Sequence, residues 1–439
     1  MAQAIQAQAL FFVVGPSRAR AVPHLGPPPS RDMCASDCKL TPPRGQGVVS
    51  PTRRMATKPG TCTSGACAEE TAAPARAAAR SPLQMALPRE AGAPAGIAPW
   101  EPHRFTFVGK LMDAARNCGQ VLMTADVVEG RFVATKRVPN EWICSSPEEF
   151  AARHPEETER PWFDILAVAQ LGSRGFPYAC GLVGVYRDDE STYIVTELAT
   201  EGDLFTFCSS MCDAPGRARE ARLLPMIVQI FDAVRRLHSF GLAHGDLSLE
   251  NILLTKCEDS LAVRVIDFGM SSTQRSRVQP VGKPAYQAPE MHGGAAYDTF
   301  RSDAFALGVV VLTLLMGEYP WSSTNPAAGC RCYAAFHRLG FRRFVAKRGL
   351  RDNAGKLAQH LSEPMARLLE SLLDLDPLQR PSILDPGTVS ASVWQEPLLQ
   401  CAAMRFLPWG RAAGLRAGCS GHELRGSAAA CPPPKACRA

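Results

Sequence analysis

The sequence predicts an α+β protein of two lobes, a small β-rich lobe followed by a larger helical one, with disordered N- and C-terminal extensions. Three observations carry this. β-prone runs fall before about residue 198, apolar residues at helical spacing dominate after Gly202, and both ends are rich in small residues and proline. The resulting division is a disordered leader over 1–99, a folded unit over 100–399 whose lobes meet at about 198 and 199, and a disordered tail over 400–439.

Each part has its own justification. In the leader, stretches such as Gly26-Pro27-Pro28-Pro29-Ser30 and Thr71-Ala72-Ala73-Pro74-Ala75 hold no sustained period and cannot build a core. Residues 121–127 and 132–137 are β-prone runs separated by Glu129-Gly130, a hairpin signal, and Tyr193-Ile194-Val195-Thr196 reads as a further strand. Leu223, Leu224, Ile227, Ile230, Phe231, Val234 and Leu237 fall on one helical face. Residues 306–316 form the longest apolar run and read as a buried core helix. Met365, Leu368, Leu369, Leu372 and Leu373 share another helical face, behind Ser362 as N-cap and Pro364 in the first turn. The tail returns to Gly, Ala, Cys and Pro, as in Cys431-Pro432-Pro433-Pro434.

Composition excludes several function classes. Lys plus Arg number 48 against 42 Asp plus Glu, a net +6 spread too thinly to argue for nucleic acid binding. The 16 cysteines do not form a zinc or disulfide framework. Cys34, Cys38, Cys62 and Cys67, like Cys401, Cys419, Cys431 and Cys437, lack C-x-x-C pairing and nearby histidines, and a reducing, cytoplasmic setting fits them. No run reaches the ~18 apolar residues of a membrane span. The apolar patch over 9–14 lacks a preceding basic segment, and Arg18, Arg20 and Arg31 with few acids leave organellar targeting by the leader as the alternative.

The motifs that carry chemistry lie in the helical half. His244-Gly245-Asp246-Leu247-Ser248-Leu249-Glu250-Asn251, followed by Asp267-Phe268-Gly269, resembles the catalytic loop (H-R-D-L-K-P-E-N) and D-F-G metal motif of eukaryotic-type protein kinases. The H-G-D-L-S-L-E-N form is similar to variants among divergent protist kinases. The resemblance covers about two thirds of the chain and implies the bilobal protein-kinase fold. It also implies roles. Asp246 would orient a substrate hydroxyl and accept its proton, while Asn251 and Asp267 would hold Mg²⁺ against the phosphates of ATP. His244 and Phe268 would support them. Ala288-Pro289-Glu290 resembles the A-P-E motif that closes the activation segment, the stretch following Asp267-Phe268-Gly269, with Arg380 as the buried partner of Glu290. Asp303 matches the acid that anchors the catalytic loop.

In the β-rich half, Val133-Ala134-Thr135-Lys136 resembles the V-A-I-K strand, so Lys136 would meet the α- and β-phosphates. Gly119 and Val121 precede it at the family's spacing, and Val121 and Ala134 would sandwich the adenine. Glu197 and Ala199 fall in the hinge, and Asp203 matches the ribose-contacting acid. Asp164 occupies the place of the helix acid that pairs with Lys136, with Glu157 and Glu159 as alternatives under a different register.

Four departures stand out. Ala114 and Arg116 occupy the first two glycine places of G-x-G-x-x-G, where glycine lets backbone amides approach phosphates. Arg116 therefore swings outward or meets the phosphates through its side chain. Gly245 replaces the arginine of H-R-D, which implies activity without loop phosphorylation. Ser248 stands where Ser/Thr kinases carry lysine and Lys283 where they carry threonine, so the two positions read as a swap.

The expected function is Mg²⁺-dependent transfer of the ATP γ-phosphoryl group to Ser or Thr hydroxyls of a protein substrate. The alternative is a nucleotide-binding pseudokinase acting as a scaffold or allosteric module. Substrate identity, upstream signal and oligomeric state leave no mark in the sequence.

Overall fold

The computed structural model describes residues 96–408, apart from 212, 259, 351–354 and 390. The expectations for the leader up to residue 95 and for the tail from 409 lie outside the described residues. The small lobe is built on strands β1 (Ile97–Pro99), β2 (Phe105–Ala114), β3 (Gly119–Asp126) and β4 (Arg131–Pro139). Two short helices, α1 (Asn140–Ile143) and α2 (Pro147–Arg153), then lead to α3 (Pro161–Ser173). Strands β5 (Leu182–Arg187) and β6 (Ser191–Glu197) complete one sheet in the order β1-β5-β6-β4-β3-β2, in which only the β1–β5 pair is parallel.

The β3–β4 hairpin turns at the expected Glu129-Gly130, and a buried acid fixes it. The Asp126 carboxylate accepts from the Val128 and Glu129 backbone N–H groups and, at 2.9–3.0 Å, from the Arg104 guanidinium. Side chains one apart on a strand face opposite sides, so register decides which residues see the cleft. Val121 lies opposite Lys136, and Ala134 lies two residues before Lys136 on the same face.

The large lobe opens with α4 (Leu204–Ser210) and the 23-residue α5 (Arg217–Ser239). The face expected on α5 packs inward, with Leu223, Ile227, Ile230, Phe231, Val234 and Leu237 wholly buried. Strands β7 (Ile252–Cys257) and β8 (Ser260–Val265) form a hairpin, and β9 (Ser276–Arg277) pairs with β10 (Tyr297–Asp298). Helix α6 (Thr299–Met316) is the apolar core helix expected over 306–316. It is long and apolar enough to cross a membrane, but it is 94% buried within the lobe, where surrounding helices replace lipid. Helices α7 (Arg331–Leu339), α8 (Phe341–Lys347) and α9 (Glu363–Leu372) follow. Ser362 caps α9 by accepting from the Met365 N–H at 3.1 Å, with Pro364 in the first turn.

Two boundaries differ from the sequence reading. The sheet begins at Ile97, ahead of residue 100, because Trp100 stacks on Tyr193 at 3.9 Å and draws the preceding strand onto β5. The tail does not begin at 400. Helix α10 (Pro397–Phe406) runs through that point and buries Leu399, Ala402 and Ala403 in the main core. Its small residues suggested low complexity by composition, yet small residues are what a closely packed helix face requires.

Candidate active site

The loop from His244 to Asn251 joins α5 to β7 and is held from beneath by α6. The buried Asp303 carboxylate accepts from the backbone N–H of His244 at 2.8 Å, that of Gly245 at 3.0 Å, and His238 Nε2 at 2.9 Å. The His244 ring carries its proton on Nε2, which donates to the Ile266 carbonyl at 3.2 Å. Its Nδ1 accepts from the Asp246 N–H at 3.2 Å. Phe268 is wholly buried with its ring 5.3 Å from that of His244. Gly245 has φ +79°, and a Cβ there would lie 2.6 Å from the Met270 carbonyl oxygen. An arginine is thus excluded by backbone geometry, a reason for the H-G-D spelling that sequence alone does not supply.

Asp246 is buried and oriented at both oxygens. Oδ1 accepts from the Lys283 backbone N–H at 2.9 Å and Oδ2 from Asn251 Nδ2 at 3.0 Å. Asn251 Nδ2 also donates to the Asp246 carbonyl at 2.8 Å, which turns its amide oxygen the other way. Burial, opposed by Lys283 and reinforced by Asp267, pushes the Asp246 carboxyl above its ordinary range. Beside it the two positions that read as a swap meet. Lys283 Nζ lies 2.7 Å from Ser248 Oγ and 3.1 Å from Glu250 Oε2. Glu250 also accepts from the Tyr319 hydroxyl at 3.0 Å. Burial would raise the Glu250 carboxyl, but Lys283 and that hydroxyl hold it below its usual value. Tyr319 carried no sequence signal, and Glu250 was visible only as a letter of the motif.

Lys136 projects from β4 into a ring of acids. Its Nζ lies 3.8 Å from both Asp164 on α3 and Glu159 just before it, so the two readings of the register converge on one lysine. Glu157 is exposed and takes no part. Asp164 also accepts from the Phe268 N–H at 2.8 Å, tying α3 to the D-F-G segment. Burial would lower the Lys136 pKa, but Asp164, Asp267 and Glu159 outweigh it and hold the ammonium charged. Burial, opposed by Lys136 and reinforced by Asp267, pushes the Asp164 and Glu159 carboxyls up. Negative charge is therefore in surplus around Asp267, whose φ of +66° places it in the left-handed region.

That surplus is the test of whether Mg²⁺ fits. Among the described residues no cluster of three or more His, Cys, Asp or Glu forms a self-contained metal cage. Asp267 and the turned-out oxygen of Asn251 instead offer two hard oxygen donors, the number a cation shared with phosphates needs. These residues fit.

The nucleotide-facing residues expected from sequence divide. Val121 and Ala134 share the sheet face of Lys136. Gly119 opens β3 so close to β4 that a Cβ would lie 2.5 Å from the Arg137 carbonyl. Glu197 ends β6, and its carboxylate accepts from the Gly181 N–H at 3.1 Å. Ala199 follows, half-buried, at the passage between the lobes. Asp203 is the N-cap of α4, accepting from the Thr206 N–H at 2.7 Å. Away from the cleft, Arg380 is fully buried and pairs with both Glu290 oxygens at 2.6 and 2.8 Å.

A twisted sheet over a helical lobe, with a strand lysine ringed by acids above an aspartate-bearing loop, defines the class of two-lobed proteins with a kinase-type cleft. The chain belongs to the protein kinase family, since residues 117–392 match the protein kinase domain. It is 31% identical to CBL-interacting protein kinase 4 of Oryza sativa subsp. japonica over 225 residues, 50% of this chain and 45% of that protein. It is 30% identical to CBL-interacting serine/threonine-protein kinase 7 of Arabidopsis thaliana over 236 residues, 53% of this chain and 48% of that protein. To NUAK family SNF1-like kinase 1 of Homo sapiens it is 28% identical over 206 residues, 46% of this chain and 28% of that protein. The chain thus spans half or less of the length of these relatives.

Proposed function

We propose that this chain is a Mg²⁺-dependent protein kinase that transfers the γ-phosphoryl group of ATP to Ser or Thr hydroxyls of a protein substrate. The observation that carries the reading is the oriented Asp246. Both its oxygens are held by Lys283 and Asn251, in a cleft it shares with Asp267 and Lys136. Phosphoryl transfer asks for positioning and charge neutralisation more than for covalent help. The substrate oxygen forms a bond to the γ-phosphorus while the bond from that phosphorus to the β,γ-bridging oxygen breaks. The bonding pair leaves with ADP, and the hydroxyl proton passes to Asp246. A carboxyl raised by burial is a better proton acceptor than an exposed one.

Lys136 would hold the α- and β-phosphates, with Val121 and Ala134 against the adenine. Asp267 and Asn251 would hold Mg²⁺, which would supply neutralisation of phosphate charge. Lys283 takes the place of the lysine that position 248 lacks, since its ammonium reaches Ser248 Oγ. The Ser/Thr preference draws support from relatives whose names carry that activity.

A nucleotide-binding pseudokinase is the second reading. The phosphate loop favours it, because Ala114 and Arg116 stand at glycine places. Phosphate transfer from labelled ATP to a basic protein separates the two. We expect transfer by wild type and none by Asp246→Asn. If neither transfers phosphate while MgATP raises the melting temperature of wild type but not of Asp267→Ala, the pseudokinase reading replaces the first.

A further inference from the structure

The loop between β2 and β3 enters the cleft by its side chains. Residues Ala115–Asn117 make a single 3₁₀ turn, and Cys118 follows at φ +52°, which returns the chain to β3. Asn117 is buried, and its Nδ2 donates to Glu159 Oε1 at 3.2 Å, so the loop tip is pinned to one of the acids around Lys136. From this anchored turn the Arg116 guanidinium crosses to the activation segment and lies 4.0 Å from Met270 Sδ. The same sulfur accepts from the Gly282 N–H at 3.3 Å, and Gly282 packs against the backbone of Gly245 and Asp246. Arg116 is thereby linked, through Met270 and Gly282, to the backbone that carries Asp246. Its charge is one of those that oppose the rise in the Asp246 pKa.

Arg116 has no carboxylate within ion-pair distance among the described residues. An exposed arginine on a loop pinned to one of the surplus acids, yet paired with none of them, is accessible to an anion that arrives from outside. The anion this cleft receives, on the kinase reading above, is the triphosphate.

We propose that Arg116 is a phosphate-contacting residue of the site: its guanidinium meets the γ-phosphoryl group of ATP. It does by side chain what backbone amides do at a glycine. A guanidinium offers planar, paired N–H donors that match phosphate oxygens, and it stays protonated throughout. It neither gives nor takes a proton during transfer. Charge on the equatorial oxygens and on the departing bridging oxygen is stabilised by donors already in place.

The inference rests on the kinase reading, and the experiment distinguishes the two. Full-length wild type, Arg116→Ala, Arg116→Lys and Arg116→Gly are compared for kcat and KM of phosphate transfer. Dissociation constants for MgATP and MgADP are measured on the same preparations. Arg116→Ala is expected to lower kcat by about 10²-fold, as for loss of one preorganised donor. It should also weaken MgATP by about 10- to 100-fold, the range for a hydrogen bond to a charged group. MgADP binding stays as in wild type, which also shows that the variant is folded, and Arg116→Lys recovers part of both losses. Higher ATP affinity or faster turnover in Arg116→Gly would show the side chain to be an obstruction and overturn the proposal. Unchanged values in Arg116→Ala overturn it equally. If wild type transfers no phosphate, the kinase reading fails, and the preference for ATP over ADP still decides whether Arg116 touches the γ-phosphate.

Discussion

Lys283 shows how a single position can be read at the residue scale. The sequence pairs an unexpected serine at 248 with an unexpected lysine at 283, and the structure brings them to 2.7 Å. A solvated lysine would have no reason to sit there, because ordering its side chain costs rotamer entropy. If its ammonium neutralises charge on the transferring group, Lys283→Thr lowers kcat by about 10²-fold with little change in the KM for ATP. Turnover equal to wild type would leave Lys283 as a partner of Glu250 alone. The same comparison explains a limit of sequence reading. Glu159 and Asp164 both reach Lys136 at 3.8 Å, because α3 begins between them and folds the preceding residue back over the cleft. A register count assumes one acid on one helical face, and no such count foresees two.

At the scale of elements, the strongest expectations were those with both a period and a cap. Helix α9 has its apolar face, its Pro364 and its Ser362 cap within eleven residues of sequence, and every part is local. Ser362→Ala removes the acceptor for the Met365 N–H and should destabilise the chain by about 1 kcal/mol, read as a lower urea midpoint at constant slope. A variant as stable as wild type would mean that the Glu220 contact to the Ser362 N–H orders this turn without the cap. Elements lacking such local signals were missed. Strand β1 is three residues long and exists because Trp100 stacks on Tyr193. Helix α10 reads as low-complexity sequence until its small residues meet the core.

At the scale of the whole molecule, one buried ion pair ties the end of the activation segment to the far side of the large lobe. Arg380 is fully buried, and its guanidinium also donates to the carbonyls of Asp374 and Arg301. Removing the acid strands a charge without water, so Glu290→Gln should cost about 3 kcal/mol or more in unfolding free energy. A loss under about 1 kcal/mol, the range of exposed pairs, would show that solvent reaches Arg380. The pairing itself was legible, because Glu290 closes the A-P-E motif and Arg380 stands where the resembled family carries its partner. The β2–β3 loop was legible only as a departure. Its letters show that glycine is missing and do not show where Arg116 goes.

The sequence by itself determined the two-lobed architecture, the principal helices, the hairpin at Glu129-Gly130 and the motif spelled from His244 to Asn251. These rest on periodicity, caps and contiguous motifs, all of which act over a few residues. Tertiary structure alone decided which acids surround Lys136, that Met270 leaves room only for glycine at 245, that Lys283 meets Ser248, and that Arg116 reaches Met270. Each is a contact between segments separated by tens of residues or more. Such contacts depend on how β4, α3 and the activation segment pack together, and that packing is set by the summed burial of the core, which no short stretch of sequence contains.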